Sequence, residues 1–293
     1  MNEVVVLTET LSHPEGPAVL PDGRVVFVET FLGQLTVWDS EQGVQHYADV
    51  GGGPNSCTVG LDGVYVAQNG GTAGEWHARI RTTPSIQRIR WDGRVQVVTA
   101  TADGEPLHAP NDLVFGPDGL LYFTDPGEYN LAHPTDGRIC VVHADGTASV
   151  VAEVGPTYPN GIGFEQDGSI VWDESYTRRV CRRRPNGSVE VITTLPAGRV
   201  PDGLKVSEDD RIYVTGGPVG GIDVISPDGE LLEFLDTGGD LTNCVFDGHD
   251  LYVTCMGTVP RSPENLFEPS GGRLLRTRLG VAGKALASGA IAT

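Results

Sequence analysis

Six short segments of this chain place an oxygen-bearing side chain in one recurring setting, ahead of an apolar strand, a turn signal and a second strand. The residues are Glu15, Asn55, Asn111, Asn160, Asp202 and Asn243, and the first five directly follow a proline. Glu15 and Asp202 offer carboxylates and the asparagines offer neutral amide oxygens. No histidine or cysteine occupies these positions. Such a hard, all-oxygen donor set suits Ca²⁺, Mg²⁺ or Mn²⁺ better than a soft metal. A cation held with an open coordination position polarises a carbonyl and lowers the pKa of bound water, which is what ester or lactone hydrolysis requires. Any one Pro-Asn-Gly or Pro-Asp-Gly read alone is an ordinary turn tripeptide. Glu15, however, is a poor turn residue, and its register with the other five calls for an architecture that gathers them.

The spacing supplies one. Successive members of the set lie 40, 56, 49, 42 and 41 residues apart, the period of a four-stranded propeller blade. Second strands are expected at Arg24 to Glu29, Gly63 to Gln68, Leu120 to Asp125, Ser169 to Glu174, Arg211 to Gly216 and Asp250 to Cys255. Their apolar stretches, such as Val64-Tyr65-Val66 and Leu121-Tyr122-Phe123, suit burial between neighbouring blades. Asp-Gly and Asn-Gly pairs such as Asp22-Gly23, Asp118-Gly119 and Asn186-Gly187 predict type I′ hairpin turns. With the first strand innermost, each of the six residues would open its strand at the mouth of the axial channel, and Glu29, Gln68, Asp125 and Glu174 would return to that mouth. Long loops at Asn69 to Ser85, Pro126 to Gly137 and Met256 to Gly272 would form its rim. Val4 to Leu7 would close the ring against Leu274 to Leu279, since an open propeller leaves two unpaired edges.

The chain therefore reads as an all-β, six-bladed β-propeller with a metal site in the axial channel, a single domain over residues 1–293. Its 40 glycines and 20 prolines are what many tight hairpins need. No apolar run approaches the ~20 residues of a membrane span. A net charge of −19 disfavours nucleic acid and anionic membranes as partners. The five cysteines are odd in number, without CxxC spacing, and fit reduced thiols in a cytoplasmic protein better than a disulfide framework or zinc cluster. The N-terminus has no secretory pattern and reads as a strand.

Glu15-Gly16-Pro17, Pro110-Asn111-Asp112-Leu113 leading to Tyr122-Phe123-Thr124-Asp125-Pro126, Pro159-Asn160-Gly161 and Pro201-Asp202-Gly203 together resemble the regucalcin/gluconolactonase family, also called the senescence marker protein family. The resemblance covers nearly the whole chain. It implies a six-bladed propeller with one divalent cation in the channel, held by Glu15, Asn160 and Asp202, with Asn111 as a further ligand or a substrate contact. It also implies hydrolysis of sugar lactones and related cyclic esters, with Asp202 as general base. A carboxylate bound to a dication is a weak base, so Asp202 can serve only through a free oxygen or a bound water.

Calcium is the expected cofactor, with Mg²⁺, Mn²⁺ or Zn²⁺ as alternatives, and the expected partner is a small lactone or ester. Substrate contacts are expected from Asn111, His108, Asp125 and Trp76. Asp125 and Glu174 are rim acids. His108 stands where small polar residues are usual in relatives. The segment carrying Glu75, Trp76, His77, Arg79 and Arg81 lengthens its interval and is expected to form a lid whose Trp76 accepts a substrate bulkier than a simple sugar lactone. The alternatives are organophosphate hydrolysis or a lyase step on the same metal site, or a non-catalytic calcium-binding propeller. Oligomeric state is left open.

Overall fold

The computed structural model describes residues 3–73, 76–256 and 271–292. Six four-stranded antiparallel sheets account for nearly all of it, with two short two-stranded ribbons between them. The blades begin with innermost strands Pro14–Val19, Pro54–Val59, Leu113–Phe115, Pro159–Phe164, Arg199–Val206 and Asp240–Asp247, and they are numbered 1 to 6 in that order. Each innermost strand packs against the next around the ring, and blade 1 packs against blade 6. The second strands Val25–Glu29, Gly63–Gln68, Leu121–Asp125, Ile170–Glu174, Ile212–Pro218 and Asp250–Met256 fall within two residues of the expected bounds. Their side chains fill the spaces between blades, where Phe27, Tyr65, Phe123, Trp172 and Leu251 are buried.

Ring closure is as expected. The N-terminal strand Val4–Leu11 pairs antiparallel with Gly272–Arg278 as the outer strand of blade 6, with Val4 opposite Thr277 and Val6 opposite Leu275. Blade 6 thus joins the first strand to the last, and the sheet edge that an open ring would expose is paired. All five cysteines are unpaired and buried.

Two sequence expectations are corrected. The hairpin turns at the proline-preceded Asp-Gly and Asn-Gly pairs are not type I′. Gly23, Gly119, Gly187 and Gly229 have positive φ, but Asp22, Asp118, Asn186 and Asp228 before them do not. A proline precedes each of these pairs, and its fixed φ near −65° selects a type I turn followed by a left-handed glycine. The Asp22, Asp118 and Asn186 side chains then accept the N–H two residues on.

The second correction concerns the six recurring residues. In five blades they lie inside the innermost strand, not ahead of it, beside a register shift. The shifts fall between Glu15 and Ala18, Pro54 and Ser56, Pro159 and Ile162, Pro201 and Leu204, and Leu241 and Cys244. An extra residue in one strand bends it and re-aims a side chain, and repeating it around the ring turns oxygen donors onto the axis. In blade 3 the regular strand starts later, but Asn111 N–H still donates to Thr124 O at 2.9 Å, and Thr124 N–H to Asp112 O at 3.0 Å.

Hydroxyl latches lock four of the five bulges, those of blades 1, 4, 5 and 6, to a neighbouring blade. Thr124 Oγ1 donates to Asn160 O at 2.8 Å, Ser175 Oγ to Pro201 O at 2.8 Å, Thr215 Oγ1 to Thr242 O at 2.9 Å and Thr242 Oγ1 to Pro14 O at 2.8 Å. Glycine after the donor permits the close approach. A Cβ on Gly16, whose φ is +43°, would lie 2.2 Å from Ser56 Cα, and one on Gly203 would lie 2.2 Å from Asn243 Cγ.

Candidate metal centre

Glu15, Asn111, Asn160 and Asp202 are brought to one end of the channel. Glu15, Asn111 and Asn160 are buried, and Asp202 hydrogen-bonds to the Asn160 side chain. The Asn160 amide also donates to Ser175 Oγ at 3.1 Å. Asn111 donates to the Tyr158 hydroxyl. Both amides thus have their N–H groups engaged, while Asn111 Oδ1 and Asn160 Oδ1 are buried without a hydrogen-bond partner. A buried unpaired carbonyl costs about 1–3 kcal/mol, so two beside two carboxylates mark a place shaped for something positive.

The carboxylates show the same deficit. Burial first, then the negative charges of Asp202 and Asp112, hold the Glu15 carboxyl well above the usual range. Burial, and then Asp112 and Asp240 against the hydrogen bond from Asn160, push Asp202 up to about 7. Asp173, buried in the second strand of blade 4, is raised by burial and by the same Asp202 and Asp112. Among the described residues no three His, Cys, Asp or Glu side chains form a cation-holding group on their own. The candidate set instead combines two carboxylates with two amides, and the orphaned oxygens and crowded acids fit a hard divalent cation.

Below this ring a second layer closes the channel, and of its residues only Asn243 was singled out from sequence. Lys205, only 8 % exposed, places Nζ 3.4 Å from Asp112 Oδ2, 3.2 Å from Asn243 Oδ1 and 2.9 Å from Leu204 O. Ser56 Oγ donates to Asp112 Oδ1 at 2.6 Å, and Asn243 hydrogen-bonds to Glu15. Five blades thereby meet through side chains. Beyond Lys205, toward the opposite face, lies a cavity of about 120 Å³ lined by Phe115, Phe164, Val206, Lys284 and Leu286. The only advance signal was position: Asp112 follows Asn111, and Lys205 lies three residues after Asp202.

The second strands do return to the mouth, where their polar ends are occupied internally. Asp125 is fully buried. It accepts from His108 N–H at 3.0 Å and Ala109 N–H at 2.7 Å, and Arg138 Nε and Nη2 bind it at 3.0 and 2.8 Å. Glu29 accepts from Ser12 N–H at 2.7 Å, and Gln68 from Gly53 N–H at 2.7 Å. Glu174 accepts from Thr177 Oγ1 at 2.6 Å and Arg179 Nε at 2.7 Å. Asp125, Glu29 and Gln68 each clasp the backbone that leads into the innermost strand of their own blade.

His108 is exposed at the mouth. Trp76 lies in a ribbon, Thr72–Ala73 paired with Trp76–His77. Its ring is 4 % exposed and stacked on Phe31 at 4.8 Å, which stacks on His13 at 4.5 Å. Ala78 N–H donates to Gly71 O at 2.9 Å, and Gly52 N–H to Ile80 O at 2.9 Å, tying the ribbon to the rim. Glu75 and most of the expected Met256 to Gly272 loop lie outside the described residues.

Fold and site together define a closed six-bladed propeller that gathers acidic and amide oxygens at one end of its channel. The chain belongs to the SMP-30/gluconolactonase/LRE-like family, whose model matches residues 13–257. It is 25 % identical over 309 aligned positions to a gluconolactonase of Zymomonas mobilis subsp. mobilis, covering 90 % of this chain and 82 % of the relative. A luciferin-regenerating enzyme superimposes with a TM-score of 0.79 at 19 % identity, over 99 % of this chain and 100 % of that one. Regucalcin of Agrobacterium tumefaciens, described as a calcium-binding protein, does so with a TM-score of 0.76 at 19 % identity, over 98 % and 96 %. No helix among the described residues is long and apolar enough to cross a membrane.

Proposed function

We propose that this chain is a divalent-metal-dependent hydrolase of small cyclic esters, a lactonase, acting in the cytoplasm. The observation that carries the reading is the pair of buried, unpartnered amide oxygens on Asn111 and Asn160 beside Glu15 and Asp202. These four residues would hold the cation, with calcium the leading candidate for an all-oxygen set. When bound, the cation supplies charge that polarises the lactone carbonyl and acidifies water.

The chain's own residues do the rest. Asp202 would receive the proton of the attacking water on an oxygen left free and return it to the departing ring oxygen, so that the C–O bond opens to a hydroxy acid. Asn160 orients Asp202 through its amide N–H. Asn111 and exposed His108 lie on one segment at the mouth and would contact the substrate. We assign Asp125 a positioning role, because its oxygens hold the backbone of that segment. The floor of Lys205 and Asp112 would confine substrate entry to the opposite mouth.

The test is hydrolysis of γ- and δ-lactones with and without a chelator. Turnover lost on chelation and regained with calcium, magnesium or manganese is expected, and turnover indifferent to chelation would refute the metal requirement. Asp202→Asn is expected to lose about 10²–10⁴-fold in kcat while its circular dichroism stays native. Wild-type rates would remove Asp202 from the mechanism, and activity confined to organophosphates or to elimination products would assign the site to another reaction.

A further inference from the structure

The mouth of the channel carries a chemistry that the candidate ligands do not explain. In five blades one residue stands just before the proline that precedes the oxygen donor: His13, Gly53, Ala109, Tyr158 and Val200, with Leu241 at the corresponding place in blade 6. Only blades 1 and 4 use a ring. In a closed ring of six, those blades lie opposite one another. His13 and Tyr158 also share a left-handed backbone, with φ of +52° and +55°, which non-glycine residues adopt at a cost and retain where the surroundings impose it.

Each ring belongs to an aromatic group. His13 stacks on Phe31, and Phe31 on Trp76. Tyr158 lies 5.0 Å from Tyr129 and 5.1 Å from Tyr176, and those two lie 5.3 Å apart. Tyr158 also reaches the Asn111 amide with its hydroxyl, so its wall touches the candidate centre directly. Tyr129 is the outermost ring, 38 % exposed.

We infer that the mouth is a slot between two aromatic walls, and that the favoured substrate is a lactone fused to, or carrying, a flat apolar ring rather than a polyhydroxylated sugar lactone. This specificity rests on the lactonase reading. Sugar rings also stack on aromatic faces, but each hydroxyl group needs a polar partner, and leaving one unpaired is penalised. The side chains at strand ends that could have met sugar hydroxyls are Glu29, Gln68, Asp125 and Glu174. Every one of them is bound to backbone N–H groups or to neighbouring side chains. Gly53, Ala109, Val200 and Leu241, which complete the circle, bring no polar side chain.

The metal-loaded protein would be assayed on three δ-lactones with alcohol leaving groups: 3-isochromanone, which is fused to a benzene ring, δ-valerolactone, which is bare, and glucono-δ-lactone. The expected order of kcat/KM is 3-isochromanone above δ-valerolactone by about three- to tenfold, the worth of aromatic contact, with glucono-δ-lactone lowest. Glucono-δ-lactone equal to or above 3-isochromanone would overturn the slot while leaving a lactonase. No turnover of any of the three would overturn the lactonase reading and the specificity with it. Tyr129→Ala should lower the 3-isochromanone to δ-valerolactone ratio through KM, and Tyr129→Phe should restore it. A ratio unchanged in Tyr129→Ala would also refute the slot.

Discussion

Asn160 shows how much a single residue can disclose. Its N–H groups are engaged by Asp202 and Ser175, so its oxygen is fixed in orientation and left unpartnered. The acids beside it translate that deficit into a pH dependence. Burial raises Asp202 to about 7 and lifts Glu15 and Asp173 as well. An acid with a raised folded pKa binds more protons in the native than in the unfolded state between the two pKa values. The Asp202 contribution to the stability of the chelated protein must then fall as pH rises from about 4, the ordinary carboxylate value, to about 7, and Glu15 and Asp173 add to the fall in the same direction. Bound cation favours the ionised acids and should remove that slope. Melting temperatures from pH 4 to 8 with and without chelator would check this, and identical profiles would show that the acids are not shared with a cation. Glu15, Asn160 and Asp202 were legible in the sequence because they recur in register. Lys205 and Asp112 were not, because a lysine within a strand reads as solvent-facing until blades 3, 5 and 6 are placed around one axis.

Among the elements, the innermost strand with its extra residue differs most from the expectation. Pro159-Asn160-Gly161 reads as the entry to a strand, whereas the ladder runs through it with a shift. Periodicity finds apolar stretches but cannot count which partner residue lies opposite, so the bulge was invisible although the donor was not. Second strands were legible to within two residues because they are continuously apolar. The hairpin turns were misread because the proline before Asp-Gly outweighs the Asp-Gly pair. Asp125 at the end of one second strand supports a prediction of its own. Its pair with Arg138 is buried, with side chains 0 % and 7 % exposed, and breaking a buried pair from one side costs about 3–5 kcal/mol. Asp125→Ala is expected to lower the thermal midpoint by roughly 10 °C and to raise KM as the 108–111 segment loosens. Differential scanning calorimetry beside steady-state kinetics would register both, and an unchanged midpoint would deny Asp125 its bracing part.

For the whole molecule, closure by Val4–Leu11 against Gly272–Arg278 is the decisive contact. The latches from Ser175 to Pro201, Thr215 to Thr242 and Thr242 to Pro14 run from blade to blade into the closing one. Removing residues 1–11 would free both the edge of blade 6 and the segment leading to Glu15. The truncated chain is expected to unfold at a markedly lower denaturant midpoint and to aggregate, as followed by tryptophan fluorescence and light scattering. A truncation that keeps the wild-type midpoint would show that the outer strand is ornamental. The acidic surface, with a net charge of −19, adds solubility and favours cations at the mouth.

A ring fastened by its first and last strands also has a history. During synthesis the strand Val4–Leu11 must wait until residues near 272–278 leave the ribosome, since among the described residues its sheet neighbour is Gly272–Arg278. The nascent protein therefore carries Glu15 and Asp202 on an unfastened ring until that join is made, and the candidate centre gains its full frame only then.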